Sequence, residues 1–141
     1  MRYAYPIELQ EASDGITITS PDIPELVSEG ATRAEALERA QDALVSALSF
    51  YVDDARPIPV PSDARGRPVI AVPTLEAAKL ALHDAMITAN MTNVELSHRL
   101  GIDEKAVRRL RDPLYRSHIA TVETALHTLG RRLVVEVTET A

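Results

Sequence analysis

Residues 92–111 read TNVELSHRLGIDEKAVRRLR, and this stretch decides how the chain is organised. Val94, Leu96 and Leu100 fall at helical spacing before Gly101, and Ile102, Ala106, Val107 and Leu110 do so after it. Thr92 suits the N-cap of the first helix, with Glu95 three residues on as the other half of a capping box. Asp103 suits the N-cap of the second, and Glu104 lies in its first turn, near the positive end of the dipole. Gly101 stands where the first helix must stop and the chain reverse, a position that needs positive φ. Two short helices joined by a glycine-containing turn make a helix-turn-helix, whose second helix is held out for a DNA major groove.

The residues between the apolar positions of the second helix are Lys105, Arg108, Arg109 and Arg111, with Arg116 beyond. From Lys105 to Arg116 there are five basic side chains and one acid, Asp112. Such groups neutralise phosphates, and Arg or Lys donates to guanine O6 and N7. A solvated face on a structural helical hairpin is the plain alternative for any charge run. Spacing, glycine, caps and cationic face coincide in one segment, which favours DNA binding.

The same residues carry a resemblance. Leu96, Leu100, Gly101, Ile102, Val107 and Leu110 match the core pattern of the lambda-repressor/Cro type (XRE-like) helix-turn-helix, and the stretch from Leu75 to Leu133 resembles that family. Ser97 stands where the family usually has alanine; a serine fits the close helix–helix contact and can bond a preceding-turn carbonyl. The resemblance implies that Asn93 lies at the DNA backbone and that Glu104, Lys105 and Arg108 face base edges. Thr92, Asn93, Glu104, Lys105, Arg108, Arg109, Arg111 and Arg116 form the candidate DNA-binding set.

The chain has 141 residues, room for one domain or two small ones. Residues 1–73 hold six Lys/Arg and twelve Asp/Glu, whereas residues 74–141 hold nine of each and all four histidines. An acidic front half repels nucleic acid and attracts a basic protein, although solvation alone would also account for it. There is no cysteine, so disulfides and thiolate metal sites are excluded. No apolar run reaches the length of a membrane span, and the N-terminus meets polar residues too soon for a signal peptide. A cytoplasmic protein with no membrane partner is the expectation.

In the front half, Tyr3–Gln10 and Gly15–Thr19 alternate as strands around a Ser13-Asp14-Gly15 turn. Pro6 removes a ladder donor and puts the first strand at an edge or its amide position facing outward. After the Pro21-Asp22-Ile23-Pro24 bend, Leu26–Ser28 reads as a third strand. Thr32 and Glu35 then form a capping box for a helix to about Val52, with Ala36, Leu37, Ala40, Leu44, Ala47, Leu48 and Tyr51 on one face. Pro57, Pro59, Pro61 and Pro68 make residues 55–68 a long loop, and Val69–Val72 a fourth strand. The fold class expected is therefore an α+β front domain, β-β-β-α-β over residues 1–73, followed by an all-α helix-turn-helix domain over 74–141 with a C-terminal strand.

The strand order, the Pro21–Pro24 bend, the Gly30-x-Thr32-x-x-Glu35-Ala36-Leu37 helix start and the Ile58-Pro59-x-Pro61-Ser62 segment resemble the HicB family. Glu25-Leu26 stand where the usual pattern has Gly-Cys. The resemblance implies an antitoxin with a partial RNase H-like N-terminal domain. It also implies a toxin partner of the HicA type, a basic double-stranded-RNA-binding-like mRNA endonuclease, and a C-terminal helix-turn-helix is an arrangement that family uses.

In the back half, a helix starting at Thr74 carries Leu75, Ala78, Leu82, Ala85 and Met86 as its stripe. Asp112-Pro113 ends the recognition helix, and Ser117 to about Leu129 forms another with Ile119, Val122, Leu126 and Leu129, stopped by Gly130. Arg131–Glu139 alternates as a closing strand without an evident partner. Pairing with its own copy across a two-fold axis through Leu133, Val135 and Val137 would give the homodimer that a palindromic operator requires. Addition to the front sheet is the competing arrangement, and assembly of two dimers stays open.

Nuclease chemistry on an RNase H-like fold would need carboxylates converging on metal ions. Asp14 lies in a turn, Asp22 in a bend and Glu35 at a cap, and only Glu8 sits on a strand, so no catalytic residue, metal or cofactor is expected. His83, His98, His118 and His127 share no metal-ligand spacing. Two functions follow. One is an antitoxin that blocks a HicA-type toxin with the acidic face of residues 1–73, its contact residues unknown, and represses its own operon by binding double-stranded operator DNA. The other is a stand-alone transcription regulator whose front domain senses a small ligand or only oligomerises.

Overall fold

In the computed structural model, which describes residues 1–139, the expected first strand is divided into β1 (Ala4–Pro6) and β2 (Glu8–Ala12). The cause is a change of partner at Pro6. β1 pairs antiparallel with β5 (Val69–Ala71), whereas β2 pairs antiparallel with β3 (Gly15–Thr19). Pro6 lies opposite Val69, and Ile7 next to it donates its N–H to the Pro68 carbonyl. The proline nitrogen thus faces away from β5, where no ladder donor is needed. On that far side the Ser20 hydroxyl donates to the Pro6 carbonyl at 2.9 Å.

β4 (Val27–Gly30) extends the hairpin into a sheet of order β2-β3-β4. It is followed by α1 (Arg33–Asp53), capped by Thr32, whose hydroxyl accepts from Glu35 N–H. Only half of the expected capping box forms, because the Glu35 carboxylate pairs with Arg39 one turn on. Gly30 meets α1 so closely that a Cβ there would lie 2.5 Å from the Ala36 nitrogen. Ala36, Ala40, Leu44, Ala47, Leu48 and Tyr51 are buried against Tyr5, Ile7, Ile18 and Ile70, with Leu37 partly so.

A second core holds α2 (Thr74–Thr88), α3 (Asn93–Leu100), α4 (Glu104–Arg111) and α5 (Ile119–Thr128). Its centre is Leu82, Met86, Leu96, Val107, Val122 and Leu126. Val94 and Ile119, expected on the inner stripes, are exposed. α2 serves both cores. Leu80 belongs to the first and Ala78, Leu82, Ala85 and Met86 to the second. On the seam, the Asp84 carboxylate accepts from the Tyr3 hydroxyl at 2.8 Å and from Ile58 N–H at 3.0 Å. The described residues are thus a mixed α+β assembly in which α2 is shared.

The closing strand over Arg131–Glu139 does not form. A strand needs a neighbour for its N–H and C=O groups, and among the described residues no strand pairs with this segment. Leu133 packs on the second core, Glu136 pairs with Arg2 at 2.6 Å, and Val134, Val135 and Val137 are exposed. The segment forms one wall of a cleft of about 810 Å³ whose other walls include Tyr3, Ala71, Val72 and Ala81. No helix is long and apolar enough to cross a membrane among the described residues.

Candidate nucleic-acid interface

α3 and α4 are joined by a three-residue turn whose geometry follows from its sequence. Gly101 closes α3 at φ 68°, in the left-handed region that glycine adopts without strain, and its N–H reaches the Ser97 carbonyl. Thr92 caps α3 by accepting from Glu95 N–H at 3.1 Å, and Asp103 caps α4 by accepting from Ala106 N–H at 2.7 Å. Ser97 is buried, and its hydroxyl donates to the Val94 carbonyl at 2.6 Å. Leu96, Val107 and Leu110 turn inward.

That packing leaves Lys105, Arg108, Arg109 and Arg116 exposed. They are not equivalent. Arg108 Nη2 lies 2.7 and 2.9 Å from the two carboxylate oxygens of Glu104, one turn back. This hydrogen bond holds the Glu104 carboxyl below its usual range. The Arg109 guanidinium lies 5.2 Å from the centre of the Tyr115 ring, in cation–π range. Exposed Thr92 has its hydroxyl committed to Glu95, and half-buried Asn93 donates to Glu104 at 3.4 Å.

Arg111 leaves the cationic face. Its guanidinium turns inward, donating to Asn93 Oδ1 at 2.7 Å and to His83 Nδ1 at 2.7 Å. The position looks outward on spacing alone, but at the last turn of α4 it faces α2 and α3.

Two residues essential to this geometry were not singled out by the sequence. Lys79 is fully buried, and its Nζ lies 2.5–3.1 Å from the carbonyl oxygens of Arg109, Asp112 and Tyr115 and the Ser117 hydroxyl, four acceptors that share its three N–H groups. It takes up the Arg109 carbonyl in the last turn of α4, at the negative end of the dipole. The available signal was a lysine four residues after Leu75, within the apolar stripe of α2. His83 is likewise fully buried between Arg56 and Arg111, and burial, with Arg111 adding to it, pushes its pKa down.

The front unit presents a different surface. Asp22 accepts from the Ser62 N–H and hydroxyl, and the Tyr51 hydroxyl donates to Glu25. These bonds bring the Pro21–Pro24 bend, the proline-rich loop and the end of α1 together. Val27, Phe50 and Val60, one on or beside each of these segments, are exposed. Among the described residues no three His, Asp or Glu side chains gather as a metal site.

Comparison with known proteins places the chain. A family model described as the HicB-like antitoxin of bacterial toxin–antitoxin systems matches residues 2–81. Antitoxin HicB 2 of Photorhabdus laumondii subsp. laumondii is 39% identical over 129 residues, 92% of each chain. Antitoxin HicB of Pseudomonas fluorescens is 38% identical over 137 residues, covering 96% of this chain and 94% of its own. Antitoxin HicB of Escherichia coli strain K12 is 36% identical over 131 residues, covering 92% and 95%. The chain belongs to the HicB-like antitoxin family of bacterial toxin–antitoxin systems.

Proposed function

We propose that the protein is a two-part antitoxin: residues 1–73, a partial RNase H-like domain, bind and block a HicA-type mRNA endonuclease, and residues 74–141 repress the operon. In this reading α3 and α4 are an XRE-like helix-turn-helix, with α4 in the major groove of the operator. The observation that carries it is the outward array of Lys105, Arg108, Arg109 and Arg116 on a helix whose apolar side is buried in the second core. Asn93 and Glu104 stand beside this array, and Thr92 begins α3 at its edge. Arg111 serves as an internal strut.

Neutralisation in this proposal is steric and electrostatic, not catalytic. The acid excess of residues 1–73 suits a cationic RNA-binding surface, and an interface of ordinary size covers an active site. Self-pairing of the C-terminal segments through Leu133, Val135 and Val137 supplies the two-fold that a palindromic operator demands.

The test is coexpression with the product of the adjacent gene. Growth should be rescued by the full chain, and a gel shift should show binding to the promoter of the same operon. Rescue should survive Arg108→Ala with Arg109→Ala, which should abolish the shift. A chain that shifts the promoter but rescues no growth, and copurifies with a metabolite, would be a stand-alone regulator.

A further inference from the structure

One line of hydrogen bonds joins the loop after α1 to the exposed face of α4. It begins at the Arg56 carbonyl oxygen, 2.7 Å from His83 Nε2. The other ring nitrogen lies 2.7 Å from Arg111 Nη2. A guanidinium only donates, so Nδ1 accepts; the imidazole is neutral and its proton sits on Nε2, aimed at the carbonyl. Arg111 Nη1 then donates to Asn93 Oδ1 at 2.7 Å, which fixes the amide with Nδ2 toward Glu104, 3.4 Å away. Glu104 in turn grips Arg108. A loop of the front unit, α2, α3 and α4 are thereby fixed to one another.

We propose that His83, acting through Arg111 and Asn93, is a positioning residue that sets the angle between α3 and α4, and with it the stance of Glu104 and Arg108 toward DNA. The proposal rests on the DNA-binding reading of that pair. Among the described residues Arg111 has no carboxylate partner; its charge is held by an amide and an imidazole, and its Nε is buried without a hydrogen bond. Such an arrangement tolerates only a neutral ring. Protonation of His83 would remove the acceptor and set two cations 2.7 Å apart. The groups facing His83 offer little compensation. α4 presents Arg111, and the loop presents only the Arg56 carbonyl, its guanidinium being stacked over Tyr51. Asp84, beside it on α2, has its carboxylate taken by Tyr3 and Ile58. Acid therefore breaks the line at its centre.

The experiment uses the full chain and two duplexes: the region upstream of its own reading frame, and a scrambled duplex of equal length and composition. His83→Leu is expected to lower the preference for the upstream duplex about tenfold while leaving scrambled-duplex binding unchanged, as for a lost hydrogen bond to a charged group. His83→Gln, which keeps a donor and an acceptor without a titrating proton, should restore much of that preference. The wild-type preference should hold as pH falls to about 6.5 and drop only further into acid, once the lowered folded pKa of His83 is passed, and that of His83→Gln should stay flat. Imidazole ¹⁵N resonances of the wild type should show the Nε2–H tautomer at neutral pH. A charged or tautomerically averaged His83 would overturn the proposal. So would an unchanged preference in His83→Leu, or an equal loss on both duplexes. A wild-type chain that does not distinguish the duplexes would instead remove the DNA-binding reading itself.

Discussion

Lys79 on α2 reaches the carbonyl oxygen of Arg109 near the end of α4, with Nζ at 2.9 Å. The bond crosses the second core, since Lys79 is fully buried. The same ammonium holds Asp112, Tyr115 and Ser117, so one side chain finishes α4 and shapes the turn that carries Arg116. Lys79→Met keeps the apolar stem and takes this donor from the Arg109 and Tyr115 carbonyls, while Asp112 keeps the Tyr115 N–H. Each such group costs about 1–3 kcal/mol, and some can turn to water. A loss of roughly 3 kcal/mol, seen as a melting temperature lower by about 10 °C, is expected in calorimetry. An unchanged melt would mean that water replaces the ammonium at no cost.

What the sequence made legible was periodic or local. The span of α1, the caps Thr32, Thr92 and Asp103, and the turn at Gly101 follow from spacing and side-chain chemistry within a few residues. What it concealed depends on distant neighbours. Arg111 looks like Arg108 in sequence, and only the placement of His83 and Asn93 separates a strut from a surface cation. Lys79 and His83 interrupt the stripe of α2 as polar residues would on any helix, and their partners are 27 to 38 residues away. The Arg131–Glu139 segment alternates like a strand, but alternation supplies only faces, and a ladder needs a second strand.

Folding stability carries a pH signature from His83. Burial holds its folded pKa below the ordinary histidine value. The unfolded chain therefore takes up a proton that the folded chain refuses, and stability is lost as pH falls through that window. The wild type should melt at progressively lower temperature as pH drops below about 6.5. His83→Gln should show a shallower dependence over the same range, and parallel curves would indicate that other groups dominate.

Gly30 is required by space and not by backbone angle. A methyl group there would meet the backbone of Ala36 and Glu35, at 2.5 to 3.0 Å, and neither can move without shifting the first turn of α1. Gly30→Ala should cost roughly 1–3 kcal/mol, as overpacking does. Because α1 covers the sheet, toxin neutralisation should fail at lower temperature than in the wild type. A denaturation midpoint equal to wild type would show that β4 yields easily.

Glu104 restrains Arg108 and places a negative charge on the face proposed to meet phosphates. Glu104→Gln removes that charge and frees the guanidinium. Binding to a scrambled duplex should tighten severalfold with a steeper salt dependence, while discrimination in favour of the operator falls. Titrations at two salt concentrations on both duplexes would measure this. Equal tightening on both would mean that Glu104 contributes repulsion and no selectivity.

The proposed self-pairing of the C-terminal segment turns on Val135 and Val137. Leu133 anchors the segment to the second core, and beyond it these two valines stand on the same alternating face, 63% and 93% exposed. A two-fold pairing would bring that face against its copy and bury it. Val135→Asp with Val137→Asp then places like charges together across the axis, which opposes pairing. Light scattering should show half the wild-type mass, operator affinity should collapse with the lost second half-site, and circular dichroism should stay unchanged. If the valines instead complete the edge of the front sheet, the mass will hold. The melting temperature will then drop by an amount independent of protein concentration, because an intramolecular contact is first order.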